Sequence, residues 1–508
     1  MKINRIFYLV LLLNILSIPT TFAQAAENNE EFDIVISNGR VIDPETSLDA
    51  IRDVGIQGRS IIEVSAESLA GRLVAGGELI DANGLVVSPG FIDMHAHGQS
   101  QTSANYLVHD GVTTALELEG GVYPVREWLA SRENKRPINF GTSMAQGDAR
   151  SLAQFSVEDR IELEDAYRSS IDNLDVFLAQ YGNLLSESNY AELTLDQYIV
   201  MREELLKGLR SGAIGIGLAH QYTPGANEQE VYEVFDFAAE QDSMIFSHVR
   251  ESGISAMQEV ISNSILTGAA LHIVHVNSMA LGDIDFILSL IRSARQRGFN
   301  ISTEAYPYTA ASTGLGSALF DEGWQEEMGG ISFEDLQWVA TGERLNAETF
   351  RSYREIGGAV IIHMMEEEWI GRALSEPFVI VASDGMQFAP GAHPRSAGTF
   401  SRVLGRYVRE REVLSLNEAI GKMTIMPAQR LEPVAPVMAN KGRLQENADA
   451  DITIFDPERI IDTATFEEGL SNSIGIEYVL VGGTIVIRGG ELIEGVFPGK
   501  AIYGVGLQ

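Results

Sequence analysis

The sequence predicts an α/β protein: a (β/α)8 barrel of the TIM type with a small β-sandwich domain built from both ends of the chain. Two observations lead to this prediction. Eight short apolar strand patterns alternate with helical periodicity through the middle of the 508-residue chain, which favours a closed parallel barrel over a doubly wound sheet. Short alternating strands occur near both ends, where they can pair once the termini meet.

The predicted barrel strands are separated by helical segments, and helical periodicity is clear at 156–181, 194–210, 228–240, 254–266 and 283–297. The eight strands are predicted at 86–97, 113–119, 138–145, 213–220, 244–248, 271–275, 301–306 and 379–384. The connection at 309–376 carries its own aromatic and charged residues. A connection of that length is predicted to be an insertion or lid over a site.

The predicted sandwich has an N-terminal part at 26–85 and a C-terminal part at 431–508, with the barrel domain at 86–430 between them. Residues 32–41 alternate apolar and polar, and Asn38-Gly39 within them predicts a hairpin turn. The segments 451–455, 476–481 and 484–487 show the same alternation near the other end.

Residues 1–25 are predicted to be a secretory signal peptide. Lys2 and Arg5 precede an apolar run at 6–16, and small residues at 23–25 suit a signal peptidase. The run is short for a bilayer span, so a cleaved signal is predicted, with an uncleaved anchor as the alternative. The expected location is periplasmic or secreted, without stable membrane association after cleavage.

Charge and cysteine content exclude some classes of partner and of covalent modification. The net charge is −35, from 71 acidic and 36 basic residues, and such a surface repels phosphate backbones. No nucleic-acid partner is therefore predicted. The chain has no cysteine, which rules out both disulfides and a lipid-modified cysteine.

A metal half-site is predicted at His95 and His97. Side chains alternate along a strand, so two histidines separated by one residue point the same way and can share a cation. They close an apolar run that follows Pro89-Gly90. The alternative is a chance pair bonded to backbone, so the prediction depends on partner ligands at other strand ends.

Three partner ligands are found at the ends of later strands. His248 closes the fifth strand, His275 closes the sixth, and Asp384 closes the eighth beside a glycine that permits a sharp turn. These five groups at one face of a barrel predict a metal centre.

A carboxylate from the second strand is predicted to bridge two metal ions. Leu116 and Leu118 suit the exterior, which leaves Glu117 and Glu119 facing the barrel interior. Glu119 lies nearer the strand's end and is the first choice for the bridge, with Glu117 as the second. The fourth strand contains no lysine at 213–219, so it cannot supply a carbamylated lysine as the bridge.

The motifs PGFIDMHAH, SHVRES, HIVHVNS, EAYPYTA, SDG followed by AHPRSAGTFSRVLGRYVRE, and KMTIMPAQR resemble the amidohydrolase superfamily, and within it the N-acyl-D-amino-acid deacylases. The resemblance runs from about residue 32 to the C-terminus. It implies one zinc ion at His95 and His97 with Asp384 nearby, and another at His248 and His275. The chain departs from the family in having ELEGG where relatives often carry a cysteine, which leaves open whether one or two Zn²⁺ ions bind. It also has Asn277 where relatives tend to have a lysine.

The resemblance also implies a chemistry, the hydrolysis of the amide bond of an N-acyl-D-amino acid by metal-activated water. Asp384 would take the proton of water and pass it to the leaving nitrogen. Arg395 would bind the substrate's α-carboxylate, and Tyr306 is a candidate hydrogen-bond donor to the substrate. Asn277 marks a substrate contact that is lost or changed.

Arg250 follows the ligand His248 by two residues and is predicted to reach an acidic side chain on the substrate. This second arginine makes N-acyl-D-glutamate the first substrate hypothesis. Two alternatives stay open. One is a cyclic-amide hydrolase or dipeptidase of the same superfamily, and the other is a metal-free barrel that acts as a binding protein.

Overall fold

The computed structural model describes residues 31–171, 174–386 and 389–506. The predicted signal peptide at 1–25 lies outside these ranges. Within them, no helix combines the length and apolar character that a membrane crossing requires.

The described chain contains twenty strands. They are β1 Phe32–Asp43, β2 Leu48–Gln57, β3 Ser60–Ser65, β4 Leu73–Asp81, β5 Val86–Pro89, β6 Phe91–Asp93, β7 Val112–Val122, β8 Asn139–Ala145, β9 Ile216–Ala219, β10 Met244–His248, β11 Ala270–Ile273, β12 Ile301–Ala305, β13 Ala310–Gly314, β14 Leu336–Trp338, β15 Ala359–His363, β16 Val379–Val381, β17 Ile452–Phe455, β18 Ile476–Val481, β19 Thr484–Arg488 and β20 Glu491–Leu492.

Sixteen α-helices occur in the same ranges. They are α1 Gln101–His109, α2 Val125–Arg132, α3 Gln146–Leu152, α4 Val157–Ser169, α5 Leu174–Ser188, α6 Leu195–Arg210, α7 Glu228–Glu240, α8 Ile254–Thr267, α9 Val276–Ala280, α10 Ile284–Gln296, α11 Trp324–Glu327, α12 Ala347–Ile356, α13 Glu367–Ser375, α14 Arg395–Arg402, α15 Leu416–Met423 and α16 Ile425–Leu431. A π-helical turn at Val403–Glu410 continues α14.

Eight strands form one parallel sheet in the order β16-β12-β11-β10-β9-β8-β7-β6. Its two edge strands meet just beyond their ends, where the amide of His97 donates to the carbonyl of Gly385 at 2.8 Å and Ala96 pairs in parallel with Gly385. The sheet is therefore nearly closed, and the predicted (β/α)8 barrel is confirmed.

The first predicted barrel strand, 86–97, is wrong in its bounds. β5 belongs to the terminal sheet, where it pairs with β1 and β17, and only β6 enters the barrel. The chain changes sheets at Gly90, which lies so close to its neighbour strand that an added Cβ would stand 2.2 Å from Cγ2 of Thr113. Only glycine allows that approach.

The second sheet has nine strands and combines both ends of the chain. β1 to β5 pair with β17 to β20 through the β5–β17 contact. Its apolar faces share one core, in which Ile36 and Ile56 pack in the same cluster as Ile454 and Leu480. The predicted joining of the two terminal regions is thus confirmed.

The predicted hairpin at Asn38-Gly39 is wrong. β1 runs through this dipeptide with a register shift between Ile36 and Gly39, and Asn38 has a φ of 60°. The pair forms a β-bulge in a continuous strand. The chain reverses only after Asp43, which pairs with Leu48 at the start of β2.

The connection after β12 contains a small antiparallel sheet in the order β13-β15-β14. Helices α11 and α12 pack on it around a stacked pair, Trp324 and Phe350, with ring centroids 5.3 Å apart. By contrast, α13 packs against α10 and β16 in the helical layer of the barrel. The small subdomain therefore lies within 309–366 and stands at the end of the barrel.

A buried ion cluster joins the two sheets at Asp451. One carboxylate oxygen accepts from Asn139 of β8 at 2.9 Å and pairs with Lys441 Nζ at 2.7 Å. The other accepts from the amide of Gly482 at 2.6 Å. Lys441 and Asp451 are 3% and 2% exposed, so neither charge can be satisfied by water.

We expect Lys441→Met to lower the free energy of unfolding by about 3–5 kcal/mol, because it leaves the Asp451 carboxylate buried without its cation. Chemical denaturation followed by circular dichroism measures this. The control is Arg372→Met, which breaks an exposed pair with Asp285 and should cost less than about 1 kcal/mol. Equal effects of the two substitutions would contradict the assignment.

Candidate metal centre

Four histidines and two carboxylates converge at the C-terminal end of the barrel strands. His95 and His97 follow β6, His248 ends β10 and Glu119 lies in β7. The remaining two, His275 and Asp384, lie two or three residues past β11 and β16. The structure brings together all six residues that the sequence analysis proposed as metal ligands.

His95, His97 and Asp384 form one group. The Nε2 atoms of the two histidines are 3.0 Å apart. Asp384 Oδ1 lies 3.5 Å from His95 Nε2 and 3.4 Å from His97 Nε2. These three ligand atoms are close enough to surround a single cation.

His248 and His275 form a second group, and Glu119 lies between the two. His275 Nε2 is 3.1 Å from His248 Nδ1. Glu119 Oε1 lies 2.7 Å from His248 Nδ1 and 3.0 Å from His275 Nε2. Its other oxygen, Oε2, lies 3.4 Å from His95 Nε2 and 3.1 Å from His97 Nε2. One carboxylate thus faces both pairs of histidines, as a bridging ligand would.

The outer nitrogen of each imidazole is held by an acceptor. His95 Nδ1 meets Glu304 Oε1 at 2.5 Å and His97 Nδ1 meets Glu117 Oε1 at 2.9 Å. His248 Nε2 meets the amide oxygen of Gln221 at 2.7 Å. His275 Nδ1 meets the hydroxyl of Ser278 at 3.0 Å, and that hydroxyl donates onward to the carbonyl of His275.

These acceptors favour imidazole protons on the outer nitrogens. The inner nitrogens are then the ones that could bind a metal. If each outer nitrogen donates, every inner nitrogen presents a bare lone pair. Lone pairs of His95 and His97 then face each other at 3.0 Å, beside two carboxylates. A divalent cation satisfies this donor set, and imidazole with carboxylate ligands suits zinc.

The titration of the groups reflects the same charge concentration. Burial opposes a charged imidazole at His95, but Asp384, Glu119 and Glu304 outweigh it and raise its pKa well above the ordinary value. Burial likewise opposes the charged form of Glu119, yet His95, His248 and His275 hold its pKa well below the ordinary value. The cluster therefore attracts positive charge strongly.

Glu117 and Glu119 have different positions. Glu117 contacts the outer nitrogen of His97 and accepts from the amide of Gly98 at 3.2 Å, whereas Glu119 faces the inner nitrogens. The geometry gives the bridging position to Glu119 and an orienting position to Glu117.

The backbone at two of the six residues lies in the left-handed region. His275 has a φ of 28° and Asp384 a φ of 51°, a conformation that side chains with a Cβ adopt at a cost. The neighbouring Gly385 amide donates to Ser383 Oγ at 2.9 Å, which supports the turn at Asp384. The strain aims both side chains back across the barrel mouth.

Arg395 stands behind Asp384. Its Nη1 lies 2.8 Å from Asp384 Oδ2, its Nη2 donates to the carbonyl of Ser312 at 3.2 Å, and its guanidinium lies 4.7 Å from the ring centre of Tyr306. Burial opposes the charged form of Asp384, but Arg395 and His95 outweigh it and hold its pKa well below the ordinary value. Asp384 is therefore ionised, with Oδ1 directed to the histidines.

Two residues predicted to contact the substrate form hydrogen bonds within the protein. Arg250 is paired with Glu259 through two hydrogen bonds of 3.1 and 2.9 Å, because α8 brings that carboxylate beside it. Asn277 donates to the carbonyl of Tyr306 at 3.3 Å and accepts from its amide at 3.4 Å, which fixes the turn after β12. Neither residue lines the cavity beside the metal residues.

A cavity of about 280 Å³ opens beside the six residues. We call it the metal chamber; its described lining includes His97, Glu119, His248, His275 and Asp384. The small subdomain provides much of its opposite wall. The larger aliphatic side chains that line it are Met279, Leu319, Met328, Ile362, Met364 and Met386.

Sequence reasoning missed the residues that hold the imidazoles from outside. Glu304 contacts both His95 and, at 2.9 Å, His272 Nε2. Its place in β12, among strand residues that alternate between interior and exterior, could have identified it by the argument applied to Glu117. Gln221 lies in a 3-10 turn at His220–Tyr222 and Ser278 in the short helix α9, where no periodicity marks them.

Comparison with known proteins places the chain in a family. Residues 86–291 match a sequence profile of the Amidohydrolase family, and residues 255–487 match a second profile with that description. An N-acyl-D-glutamate deacylase of Alcaligenes xylosoxydans xylosoxydans is 29% identical over 483 residues, which is 90% of this chain and 94% of the relative. A D-aminoacylase of the same organism is 28% identical over 488 residues, 90% of this chain and 95% of the relative.

A solved structure shows the same similarity. The crystal structure of N-acyl-D-glutamate deacylase from Bordetella bronchiseptica, complexed with zinc and a phosphonate inhibitor that mimics the tetrahedral intermediate, superposes with a TM-score of 0.77. It is 25% identical in sequence, and the match covers 93% of this chain and all of that one. The chain therefore belongs to the amidohydrolase family, in which it is similar to N-acyl-D-amino-acid deacylases, and it is a metal-dependent hydrolase of amide bonds.

Proposed function

We propose that this protein hydrolyses the amide bond of N-acyl-D-amino acids, with zinc held by His95, His97, Glu119, His248, His275 and Asp384. The observation that carries the proposal is the position of Glu119 between two pairs of imidazoles, with Asp384 on the side of His95 and His97. The zinc-bound relative and the two deacylases of similar sequence support it.

Zinc in such a site activates water and polarises an amide carbonyl. The chain's own contribution is made by Asp384. Its Oδ2 pairs with Arg395, so Oδ1, the oxygen that would also ligate the cation, accepts the proton of the attacking water through its other lone pair and then delivers it to the departing nitrogen. An amide nitrogen leaves poorly unless it is protonated, and a carboxylate fixed by one oxygen transfers that proton without reorienting.

The amino-acid part of the substrate is proposed to bind beside Arg395. An α-carboxylate lies only two bonds from the scissile nitrogen, so the cation that binds it must stand next to the metal residues. Arg395 is the arginine that contacts one of them in the described chain. It lies directly behind the wall that Ser312 and Met386 form in the metal chamber.

The substrate side chain is proposed to be apolar. The methionine, leucine and isoleucine side chains of the metal chamber favour apolar groups, and its described lining contains no arginine or lysine to pair with a glutamate carboxylate. Its polar side chains away from the metal residues, such as Ser252 and Thr313, are uncharged. The hypothesis of N-acyl-D-glutamate rested on Arg250, which pairs with Glu259 and, unlike Arg395, has no described contact with any of the six metal residues. Sequence similarity to an N-acyl-D-glutamate deacylase keeps that substrate in the test panel.

The location is proposed to be periplasmic or secreted. The support is the pattern of residues 1–25, in which two basic residues precede an apolar run and small residues follow it.

We expect chelation to abolish hydrolysis of N-acetyl-D-leucine and Zn²⁺ to restore it, because the donor set needs its cation to activate water. Parallel metal analysis of the treated protein measures zinc retention. An enzyme that is fully active without metal would reject the proposal in favour of a metal-free mechanism.

Glu117→Gln should lower zinc affinity or kcat/KM by about 10–100-fold, because it removes the carboxylate that orients His97. The measurement is zinc titration together with initial rates on N-acetyl-D-leucine. The matched control is Glu348→Gln on the exposed face of α12, which should leave both quantities unchanged. An unaltered Glu117→Gln enzyme would show that His97 needs no such support.

We expect N-acetyl-D-leucine and N-acetyl-D-methionine to be hydrolysed at least about tenfold more efficiently than N-acetyl-D-glutamate, since a carboxylate in the apolar chamber costs more than 1.4 kcal/mol unless it is paired. A preference for the L forms would reject the D-amino-acid assignment. Ring opening of a hydantoin in place of these reactions would support the cyclic-amide alternative.

A further inference from the structure

A second and larger cavity adjoins the metal chamber. It has a volume of about 830 Å³ and lies among the connections that follow β7, β8 and β9. We call it the outer chamber. It shares Gly120, Ala219 and Tyr222 with the metal chamber, and Glu117 reaches both its wall and His97. The two spaces are therefore contiguous at the metal residues.

Tyr222 stands at the boundary of the two chambers. Its ring packs edge-on against His248, with centroids 5.2 Å apart, and its hydroxyl lies 2.9 Å from Thr313 Oγ1 in β13. Gly120 also lines both chambers, and an added Cβ there would meet Glu117 Oε1 at 3.5 Å and His97 at 3.9 Å. The absence of a side chain at Gly120 keeps the passage open.

The walls of the outer chamber are largely aromatic and apolar. Tyr123, Trp128 and Tyr167 line it and are 5–6% exposed. Val122 and Leu185 add aliphatic surface. Five charged residues also line it: Glu117, Arg132, Lys135, Arg136 and Asp148. The described contacts engage four of them, since Glu117 pairs with His97, Asp148 accepts from the Tyr167 hydroxyl at 2.8 Å, Arg132 stacks on Trp128 and Arg136 donates to the carbonyl of Gln99 at 3.2 Å. Such walls favour a large apolar ligand group.

The direction of the substrate follows from Arg395, and this step rests on the proposed function. Arg395 lies on the side of the metal residues formed by Asp384, Ser312 and Met386. With the α-carboxylate there, the amino-acid part of the substrate occupies the metal chamber. The acyl group leaves the scissile carbonyl in the opposite direction, toward Gly120 and Tyr222, and so enters the outer chamber.

We propose that the outer chamber binds the acyl group, and that the preferred substrates carry a medium- or long-chain fatty acyl group, of about eight carbons or more, on an apolar D-amino acid. An acetyl group would leave nearly all of the 830 Å³ unfilled. An alkyl chain would replace water along Tyr123, Trp128 and Leu185. The products are then a free fatty acid and a D-amino acid, which balances the addition of one water.

The test uses the zinc-loaded full chain with N-acetyl-, N-butanoyl-, N-octanoyl- and N-dodecanoyl-D-leucine. We expect kcat/KM to rise by at least about tenfold from acetyl to octanoyl, because each buried methylene contributes up to about fourfold. Hydrolysis of the acetyl derivative with a flat or falling profile overturns this inference and leaves the proposed function standing. Absence of turnover with every derivative overturns the proposed function itself.

Gly147→Phe tests the assignment of the chamber. Gly147 lies in α3 on the chamber wall, and an added Cβ there would meet only Thr223 Cγ2, at 3.8 Å. The phenyl ring should fill the space and lower the ratio of octanoyl to acetyl kcat/KM by at least about fivefold, since it excludes one or more buried methylenes. The matched control is Gly371→Phe in α13, where an added Cβ meets no neighbour; it should keep the wild-type ratio.

Calorimetry gives a readout that is independent of turnover. Octanoate should bind the zinc-loaded wild type more tightly than acetate, and Gly147→Phe should remove the difference. Equal binding of the two carboxylates by the wild type, or an unchanged difference in Gly147→Phe, would overturn the proposal.

Discussion

The structure depends on one constraint, the concentration of imidazole nitrogens and carboxylate oxygens around Glu119. Four histidines present their inner nitrogens to two carboxylates within 3.5 Å. Burying these nitrogens and carboxylate oxygens together raises the free energy of the folded state unless a cation neutralises the charge. The residues come from β7, β10 and the segments after β6, β11 and β16, so the set is neutralised only when the whole barrel closes around the centre.

Barrel closure and the centre are linked through Asp93. Its Oδ1 accepts from the amides of His95 at 3.1 Å and Ser383 at 3.0 Å, so one carboxylate joins the first and last barrel strands directly below the ligands. Glu304 performs a similar task across the barrel, because it holds His95 and His272 together. The outer acceptors thus fix the proton positions of the imidazoles and also hold the strands in register.

Local periodicity was enough to predict some parts of the fold and site. Alternation of side chains placed His95 with His97 and directed Glu117 and Glu119 inward, and the strand ends indicated His248 and His275. What it could not provide was the partner of each charge. The sequence alone does not show that α8 brings Glu259 beside Arg250. It also does not show that Asn277 donates a hydrogen bond to the backbone carbonyl of Tyr306. Both contacts are tertiary, and no local pattern encodes them.

The same limit explains the errors in strand bounds. Residues 86–93 have the apolar character of one strand, but Gly90 carries the chain from one sheet to the other because it passes Thr113 at close range. At Asn38-Gly39, a dipeptide typical of hairpins was accommodated as a bulge, since the pairing of β1 with β2 continues on both sides of it. Long-range pairing outweighed a local turn preference in each case.

Within the barrel, the residues proposed for the reaction and those proposed for substrate binding come from different parts of the chain. The groups proposed to activate water and transfer its proton lie at strand ends. The hydrogen-bond acceptors behind them restrict their positions. The groups that would meet the substrate come from connections, namely the small subdomain on one side and the segments after β7, β8 and β9 on the other. Because these connections contribute few ligands to the centre, they can change shape without disturbing it. The dimensions and lining of the two chambers are therefore the features from which substrate choice should be inferred.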